Sequence, residues 1–324
     1  MESLRFLVGA VAGLLAAGAL IVSLAAQGGR FSPRLDVLTH FAPLYLAPAI
    51  LALALALFAA RPMRGPVALT ALAAVAAVAV LVAPEFLSVG RDPRAAADAP
   101  DQLKVIQFNA WGRNEQAEAA VAWLVAQKPD IIVMQEGGRL RDLLIARGFI
   151  TSCKGCSAGV MARRAPVRTF AEGRADGHSA YLVSSTYADA RGEFTVVAIH
   201  RFWPTRFARD RAQTAQLREL IAEAPKERLI LAGDFNSTPW SFARRAEDRD
   251  FGMIRRTRAL FSWPAARISH NRLPAPFPYL PIDHVYAGPG WATVSVERGP
   301  KLGSDHYPVV VTLAPADASA VHPR

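Results

Sequence analysis

Acidic, amide and imidazole side chains stand at the ends of apolar runs in this 324-residue sequence. In "LILAGDFNSTP", Asp234 and Asn236 end a run that is apolar enough for a buried strand. The other residues placed in this way are Asn109, Glu136, His200, Asp283, Asp305 and His306. Any one of them could simply cap a turn. Their recurrence predicts a shared site, because buried carboxylates are costly unless they pair or bind a metal ion.

The ligand types in this set favour a hard divalent cation. Carboxylate and amide oxygens suit Mg²⁺, Mn²⁺ or Ca²⁺, whereas Zn²⁺ would need more histidine or thiolate ligands. Glu136 is the strongest candidate for a direct metal ligand, and Asn109 and Asp305 are further candidates. A hard metal ion flanked by imidazoles is typical of phosphoryl chemistry.

The elements that position these residues belong to an α/β domain. After residue 102, β-branched runs alternate with amphipathic stretches, and no internal repeat is present. The predicted strands are "LKVIQFN", "DIIVMQE", "YLVSSTY", "FTVVAIH", "RLILAGD", "DHVYAG", "ATVSVER" and "YPVVVTL". Polar groups gathered at strand ends occupy the position where α/β folds build their sites.

Two helices are predicted between these strands. The first is "EQAEAAVAWLVAQK", and its predicted inner face consists of Val121, Leu124 and Val125. The second is "DRAQTAQLRELIAEA", and its predicted inner face consists of Ala212, Ala215, Leu220 and, as a further candidate, Leu217. Both helices are expected to cover the sheet.

Six motifs together resemble the endonuclease/exonuclease/phosphatase superfamily, which includes nucleases, inositol-polyphosphate phosphatases and sphingomyelinases. They are "VIQFNAWGRN", "DIIVMQEGG", "VVAIHRFWP", "LILAGDFNSTP", "PIDHVYAG" and "LGSDHYPVVVTL". They occur in the order of that family and extend over residues 103–313. The resemblance implies a four-layer α/β sandwich of two packed mixed sheets, with the site at one edge.

The resemblance also implies a role for each site residue. Glu136 would bind the metal ion, with Asn109 beside it and Asp305 near it. Asp234 would orient or deprotonate the attacking water, and Asn236 would hold the phosphate or the nucleophile. His306 would contact the scissile phosphate, oriented by Asp283. His200 resembles a second phosphate-facing histidine.

These roles predict hydrolysis of phosphodiester or phosphomonoester bonds by metal-assisted attack of water. The substrate could be nucleic acid, or a phospholipid, sphingomyelin or inositol phosphate. "RFWPTRFARDR", which follows His200, interleaves basic and aromatic residues that suit either nucleic acid or anionic headgroups. A non-catalytic relative that binds anionic ligands is a further alternative, although the chain retains all the metal-binding and water-activating residues. No obligate protein partner is inferred.

The first 90 residues predict a membrane anchor. Three stretches without charged side chains, residues 6–26, 41–60 and 67–83, are long enough to be transmembrane helices. Residues 91–102 are a predicted linker, 103–315 the catalytic domain and 316–324 a tail. The predicted localisation is a bacterial inner or plasma membrane, crossed several times.

Membrane orientation is not decided by charge, because basic residues flank both sides almost equally. Cys153 and Cys156, in "SCKGCSAG", could form a metal half-site, a redox pair or a small disulfide. A disulfide is favoured, since no second cysteine pair exists, and it places the catalytic domain on the extracytoplasmic side. His284 beside Asp283 and Ser304 beside Asp305 are interpreted as flanking residues. The other histidines are interpreted as ordinary surface or loop residues; they are His40, His178, His270 and His322.

Overall fold

The structure is a computed structural model that describes residues 1–172, 181–265, 267–268 and 273–316. His178, His270, His322 and all of the predicted tail after Ala316 lie outside the described residues. The chain forms two compact units. Unit 1 consists of Met1–Ser88 and Ser237–Glu247, and unit 2 of Val89–Asn236 and Asp248–Arg324.

The helices of the described residues are α1 (Glu2–Gln27), α2 (Pro33–Thr39), α3 (Ala42–Ala56), α4 (Arg61–Phe86), α5 (Ala117–Ala126), α6 (Gly138–Ala146), α7 (Phe207–Glu223) and α8 (Phe242–Asp250). In unit 1, α1, α3 and α4 pack against one another through small side chains. Their contact is built on Ala12, Ala16, Ala52, Ala56 and Ala71. Large apolar side chains such as Leu14 and Leu69 point outward and are exposed. This is the inverse of a soluble bundle and suits a lipid environment.

Two of the helices are long and apolar enough to cross a membrane, and the number rises to three if a bent pair counts as one span. The predicted segments 6–26 and 67–83 fall within α1 and α4. The predicted segment 41–60 is only partly helical, because α3 ends at Ala56. Helix α3 also meets α2 at an angle of 57°. Its 15 residues rise about 22 Å, which is short of the roughly 30 Å hydrocarbon core.

The segment Ser237–Glu247 of unit 1 is bound to α2 and to the residue that follows it. The Asp36 carboxylate accepts hydrogen bonds from the backbone N–H groups of Phe242 (2.8 Å) and Ala243 (3.0 Å), and so caps the start of α8. His40 Nδ1 contacts the Thr238 hydroxyl at 2.9 Å and accepts from the Thr238 N–H. His40 lies in the turn between α2 and α3, which agrees with a loop residue, but it is buried, so its interpretation as a surface histidine is wrong.

The strands of unit 2 are β1 (Leu103–Asn109), β2 (Ile131–Gln135), β3 (Ile150–Thr151), β4 (Ala158–Ala162), β5 (Arg168–Glu172), β6 (Leu182–Asp189), β7 (Gly192–His200), β8 (Leu229–Asp234), β9 (Ile254–Arg255), β10 (Arg267–Ile268), β11 (Leu273–Pro274), β12 (Asp283–Ala287), β13 (Trp291–Arg298) and β14 (Val309–Pro315). All eight predicted strands are confirmed. One six-stranded sheet has the order β13-β14-β1-β2-β4-β3 and the other β5-β6-β7-β8-β12-β9, while β10 and β11 pair separately. Each large sheet contains one parallel pair, β1–β2 or β7–β8, among antiparallel ones.

The two large sheets pack face to face and helices cover their outer faces. The inner core is formed by apolar residues of both sheets, such as Val105 and Val133 on one side and Ala198 and Ala232 on the other. Helices α5 and α6 cover the first sheet. Helix α7 covers the second sheet. The predicted four-layer α/β sandwich is therefore confirmed.

The two predicted helices of unit 2 differ in how well their inner faces were assigned. In α5, Val121 and Leu124 are buried as predicted, and Val125 is half-buried. In α7 the inner face consists of Gln213, Leu217 and Ile221. The assignment of Ala212 and Ala215 to that face is wrong, and Leu220 is only half-buried. The helix turns a polar residue inward because Gln213 bonds the end of β7, accepting from Phe202 N and donating to the His200 carbonyl.

Candidate active site

Strand alternation brings the predicted polar residues to one edge of the two sheets. Side chains two residues apart point to the same face of a strand. Asn109 continues the inner face of β1 after Val105, and His200 continues that of β7 after Ala198. In the same way Asp234 follows Ala232 on β8. These positions lie at the end of the inter-sheet core, where the apolar filling gives way to polar groups.

Strand register fixes the order of three of these residues across the second sheet. Asp234 pairs with His200 on the parallel neighbour β7 and with Asp283 on the antiparallel neighbour β12. His284, the residue after Asp283, points to the other face and lies against Phe235, with ring centroids 5.4 Å apart. The sequence interpretation of His284 as a flanking residue agrees with this position.

A buried hydrogen-bond chain connects Gln107, Asp283 and His306. Gln107 Nε2 donates to Asp283 Oδ1 at 2.8 Å, and Asp283 Oδ2 lies 2.8 Å from His306 Nδ1. This contact orients the imidazole, whose Nε2 lies 3.7 Å from Asp234 Oδ2. Ser304, which sequence analysis treated only as a flanking residue, accepts from the His306 N–H and donates to the Asn109 carbonyl. The loop before β14 is therefore attached to the end of β1.

Asn109 links Asp234 to Glu136. Its Nδ2 donates to Asp234 Oδ2 at 3.0 Å and to Glu136 Oε1 at 3.4 Å. Apart from these contacts, Asp234 Oδ1 accepts from the Asn236 N–H at 2.8 Å, and Asn236 Nδ2 donates to the Arg201 carbonyl. Asn236 and Glu136 both have positive φ angles, 48° and 50°. Non-glycine residues held in this region are uncommon and cluster at functional sites.

His200 is oriented by Ser157. Ser157 Oγ lies 2.6 Å from His200 Nδ1, and the Ser157 carbonyl accepts from the Glu136 N–H at 2.9 Å. His200 Nε2 is thereby directed at two carboxylates, 3.7 Å from Glu136 Oε1 and 3.7 Å from Asp234 Oδ2. Ser157 directly follows Cys156, which forms a disulfide with Cys153. The favoured interpretation of the two cysteines is confirmed.

Burial and neighbouring charges shift two pKa values in this cluster. Burial raises the pKa of the Asp234 carboxyl to about 6, and His306 and His200 partly oppose that rise. Burial alone would lower the pKa of His306, but the Asp283 and Asp234 carboxylates outweigh it and raise the pKa to about 10. Near neutral pH the site therefore combines an unusually basic carboxylate with a charged imidazolium.

This arrangement can be compared with known proteins. Residues 106–306 match the family model described as the Endonuclease/Exonuclease/phosphatase family. The chain belongs to this family. Members are phosphoesterase and nuclease hydrolases, so the predicted resemblance and the prediction of an ester hydrolase are confirmed.

Solved structures share the fold of unit 2. TDP2 of D. rerio, complexed with a single-strand DNA product, has a TM-score of 0.53 at 18% identity and covers 66% of this chain and 99% of its own. A family protein from Leptotrichia buccalis has a TM-score of 0.51 at 13% identity, with 65% and 99% covered. A functionally unknown protein from Enterococcus faecalis gives 0.50 at 14% identity, with 66% and 100% covered. No curated protein sequence matches the chain.

Enzymes of this family use divalent metal ions, and the donor atoms here fit one. Asp234, Asp283 and His306 each offer an atom within 4.8 Å of the others. However, both oxygens of Asp234 and of Asp283 already accept hydrogen bonds or contact His306. Glu136 is better suited as the metal ligand, because its carboxylate is more exposed and its hydrogen bonds to Asn109 and Gly112 are long, at 3.4 Å each.

The hydrogen bonds of Asp305 lead away from this cluster, although its charge contributes to the raised pKa of His306. Its Oδ2 accepts a hydrogen bond from Trp263 Nε1 at 3.3 Å, and its carbonyl accepts from Ala265 N. Trp263 packs edge-on against Trp203, which is 44% exposed, and against Tyr279. Asp305 thus connects the loop that carries His306 to an aromatic surface.

Sequence reasoning missed Gln107 and Ser157. Gln107 is completely buried within β1 and also donates to Gln135. A signal for it was present, since it is the one polar residue at an inner-face position before Asn109 in "LKVIQFN". Ser157 lies in an irregular turn, and nothing in its surrounding sequence indicates a contact with a histidine 43 residues away.

Proposed function

We propose that the chain is a membrane-anchored, divalent-metal-dependent phosphoesterase of nuclease type. The observation that carries this proposal is the pairing of Asp234 with a charged, Asp283-bound His306 at the joint end of both sheets. A carboxylate and an imidazolium side by side suit the two needs of phosphoester hydrolysis, which are a proton acceptor for water and positive charge for the phosphoryl oxygens.

Asp234 is the proposed base. Its raised pKa makes it a better proton acceptor than an ordinary carboxylate, while leaving it ionised at neutral pH. The Asn109 and Asn236 contacts to its two oxygens hold it in one orientation. Asn236 is in turn fixed by its bond to the Arg201 carbonyl, which supports the proposal that it positions the nucleophile or the phosphate.

His306 and His200 are the proposed phosphate-binding groups. Each imidazole is bound at Nδ1, by Asp283 and Ser157 respectively, so each presents Nε2 towards Asp234. Glu136 is the proposed ligand of Mg²⁺, or of Mn²⁺ or Ca²⁺, and Asn109 and Asp305 are further proposed ligands. A bound divalent ion would neutralise charge on the phosphate.

The nearby surface favours a nucleic-acid substrate. Trp203 is exposed beside Trp263, and such a side chain can stack on a base. The arginines of the same loop contribute less positive charge to this surface than their number implies. Arg201 is buried and paired with Asp210, and Arg209 lies over the Phe202 ring. Apolar helices in unit 1 keep a phospholipid or inositol phosphate as the second candidate substrate.

Hydrolysis assays test this proposal. The full chain in detergent, with Mg²⁺, is given plasmid DNA, oligonucleotides, phosphoinositides and sphingomyelin. We expect cleavage of DNA or oligonucleotides, loss of cleavage in EDTA, and loss of cleavage in Asp234→Ala and His306→Ala. If every substrate stays intact and both variants bind ligands as the wild type does, the chain is a non-catalytic relative.

A further inference from the structure

A cavity of about 650 Å³ opens beside Glu136. Residues that line it include Gly137, Arg141, Asp142, Lys154, Cys156 and Ser157. Its walls are thus the start of α6 and the turn closed by the disulfide. The proposed reaction uses only Glu136 of these lining residues directly, which leaves the rest of the cavity without an assigned role.

A buried guanidinium forms part of the wall. Arg141 is 5% exposed, and its Nη2 donates to the Cys156 carbonyl at 2.8 Å. Its Nε has no hydrogen-bond partner, and no carboxylate pairs with it among the described residues. A buried cation with an unused donor is costly, and an anionic ligand in the cavity would offset that cost.

A second cation stands at the rim of the cavity. Lys154 lies between the two bonded cysteines and is exposed, with no ion pair in the described part of the chain. The disulfide and the bond from Arg141 to Cys156 hold this turn in place. The first turn of α6 also faces the cavity through Gly137 and Gly138 and has no side-chain cap. Its free N–H groups add partial positive charge.

The negative charge in the cavity does not cancel these groups. Glu136 is the proposed metal ligand, and Asp142 is exposed to solvent. The cavity therefore has two acidic groups, one of them the proposed metal ligand, and two cations, of which Lys154 has no ion pair among the described residues and Arg141 has an unused donor. Its size is sufficient for a phosphate group together with part of the molecule that carries it.

We propose that this cavity binds a second phosphate of the substrate, next to the phosphate that is hydrolysed. The inference rests on the proposed function and narrows it to substrates with two phosphates joined by a short spacer. Arg141 and Lys154 bind the non-reacting phosphate, and the start of α6 contributes N–H donors. A nucleotide chain and a multiply phosphorylated headgroup both have this chemistry.

Paired substrates test the inference. Thymidine 5′-(p-nitrophenyl phosphate) is compared with the same ester carrying a 3′-phosphate, using the full chain in detergent with Mg²⁺. We expect a higher kcat/KM for the 3′-phosphorylated ester. Lys154→Gln lowers that preference about tenfold, mainly through KM, as expected for the loss of one charged hydrogen bond. Glycerophosphoinositol with and without a 4-phosphate is the corresponding pair of headgroup substrates. The pair for which the preference depends on Lys154 shows whether the second phosphate belongs to a nucleotide chain or to a headgroup.

Lys128→Gln is the matched control, because this exposed lysine lies at the opposite end of β2 from Glu136. Arg141→Lys and Arg141→Gln are a second pair of variants. We expect Arg141→Lys to retain more of the preference for the substrate with the second phosphate than Arg141→Gln does. If Lys154→Gln and the wild type show equal preference with both pairs, the inference is wrong and the proposed function stands.

If no ester is hydrolysed, a binding measurement tests the second-phosphate site separately from the proposed function. Titration calorimetry with thymidine 3′,5′-bisphosphate in EDTA does not depend on hydrolysis. If Lys154→Gln weakens this binding about tenfold while no ester is hydrolysed, the second-phosphate site is supported and the proposed function fails. If the wild type neither binds the bisphosphate nor hydrolyses any ester, both are wrong.

Discussion

Asp234 and His306 carry opposite charges over the same range of pH, and each depends on the other. Burial makes the Asp234 carboxylate basic, and the cationic His306 keeps it ionised at neutral pH. The imidazolium in turn depends on Asp283 and Asp234. Two titrating groups whose pKa values are pushed apart in this way are typical of acid-base sites.

The pH dependence of hydrolysis follows from these two groups. As pH rises through about 6, Asp234 loses its proton and becomes a base, so kcat/KM rises about tenfold per unit below that value. Above about 10, His306 loses its proton and the phosphate loses a cationic partner, so kcat/KM falls. A diester such as bis(p-nitrophenyl) phosphate does not titrate between these limits. A profile that is flat from pH 5 to pH 7 would contradict the role of Asp234.

Sequence predicted most of the residues at this site because of where they stand in their strands. Asn109, His200 and Asp234 each end an apolar run at an inner-face position, and the alternation of residues along each run is enough to predict that position. Ser157 could not be found in this way, since its contact with His200 depends on the path of an irregular turn between two strands. The contact of Asp305 with Trp263 could not be predicted either, because Trp263 lies on a loop that is 42 residues away in the sequence.

Strands β7 and β8 place His200 beside Asp234 because their backbones approach closely one residue earlier. A Cβ atom at Gly233 would lie 1.9 Å from the Ile199 carbonyl oxygen and 2.8 Å from the Ile199 carbonyl carbon. Ile199 is the register partner of Gly233, and His200 and Asp234 are the next pair. Only glycine allows this approach.

Gly233→Ala is therefore expected to separate β7 from β8. Because the clash is with backbone atoms, the strands must shift, at a cost of about 1–3 kcal/mol in the free energy of unfolding. The distance between His200 and Asp234 changes with them, so kcat falls more than stability alone explains. Thermal unfolding and kcat are measured on the same preparation. Gly65→Ala on α4, which meets no heavy atom within 4 Å, is the control. Wild-type activity in Gly233→Ala would contradict this account.

Element prediction failed where tertiary contacts override periodicity. The inner face of α7 was assigned to alanines, yet the helix turns Gln213 inward to bond Phe202 and His200. Periodicity reports apolar residues and is silent about a buried polar side chain with two partners. The grouping of Ser237–Glu247 with the N-terminal helices was likewise invisible, since it depends on Asp36 capping α8 across 206 residues.

The whole molecule combines an apolar helical unit with a hydrolase unit of the endonuclease/exonuclease/phosphatase family. The segment Ser237–Glu247, which directly follows Asn236 in the chain, belongs to the helical unit. The extracytoplasmic location of the hydrolase unit stays a prediction, with which the disulfide between Cys153 and Cys156 is compatible because reducing compartments rarely maintain such bonds.

Reporter fusions test both the side of the membrane and the number of spans. Alkaline phosphatase fused after Arg324 is expected to be active and green fluorescent protein at the same place dark, since the former folds only outside the cytoplasm. The same reporters at the N-terminus are expected to give the opposite result if α2 and α3 together form a third span. If the reporters place both ends of the chain on the same side of the membrane, only α1 and α4 cross it. A fluorescent C-terminal fusion would contradict the proposed location.

The central claim, metal-dependent phosphoester hydrolysis by an Asp283-bound His306 beside Asp234, is tested most directly by kcat of Asp283→Asn. With the full chain, Mg²⁺ and bis(p-nitrophenyl) phosphate, we predict a fall of about 100-fold or more, because the imidazole loses its orientation and its charge. Asp98→Asn removes the same charge at an exposed position, and it is predicted to leave kcat unchanged. Equal kcat in the wild type and Asp283→Asn, or no hydrolysis by the wild type with any divalent metal ion, would contradict the account.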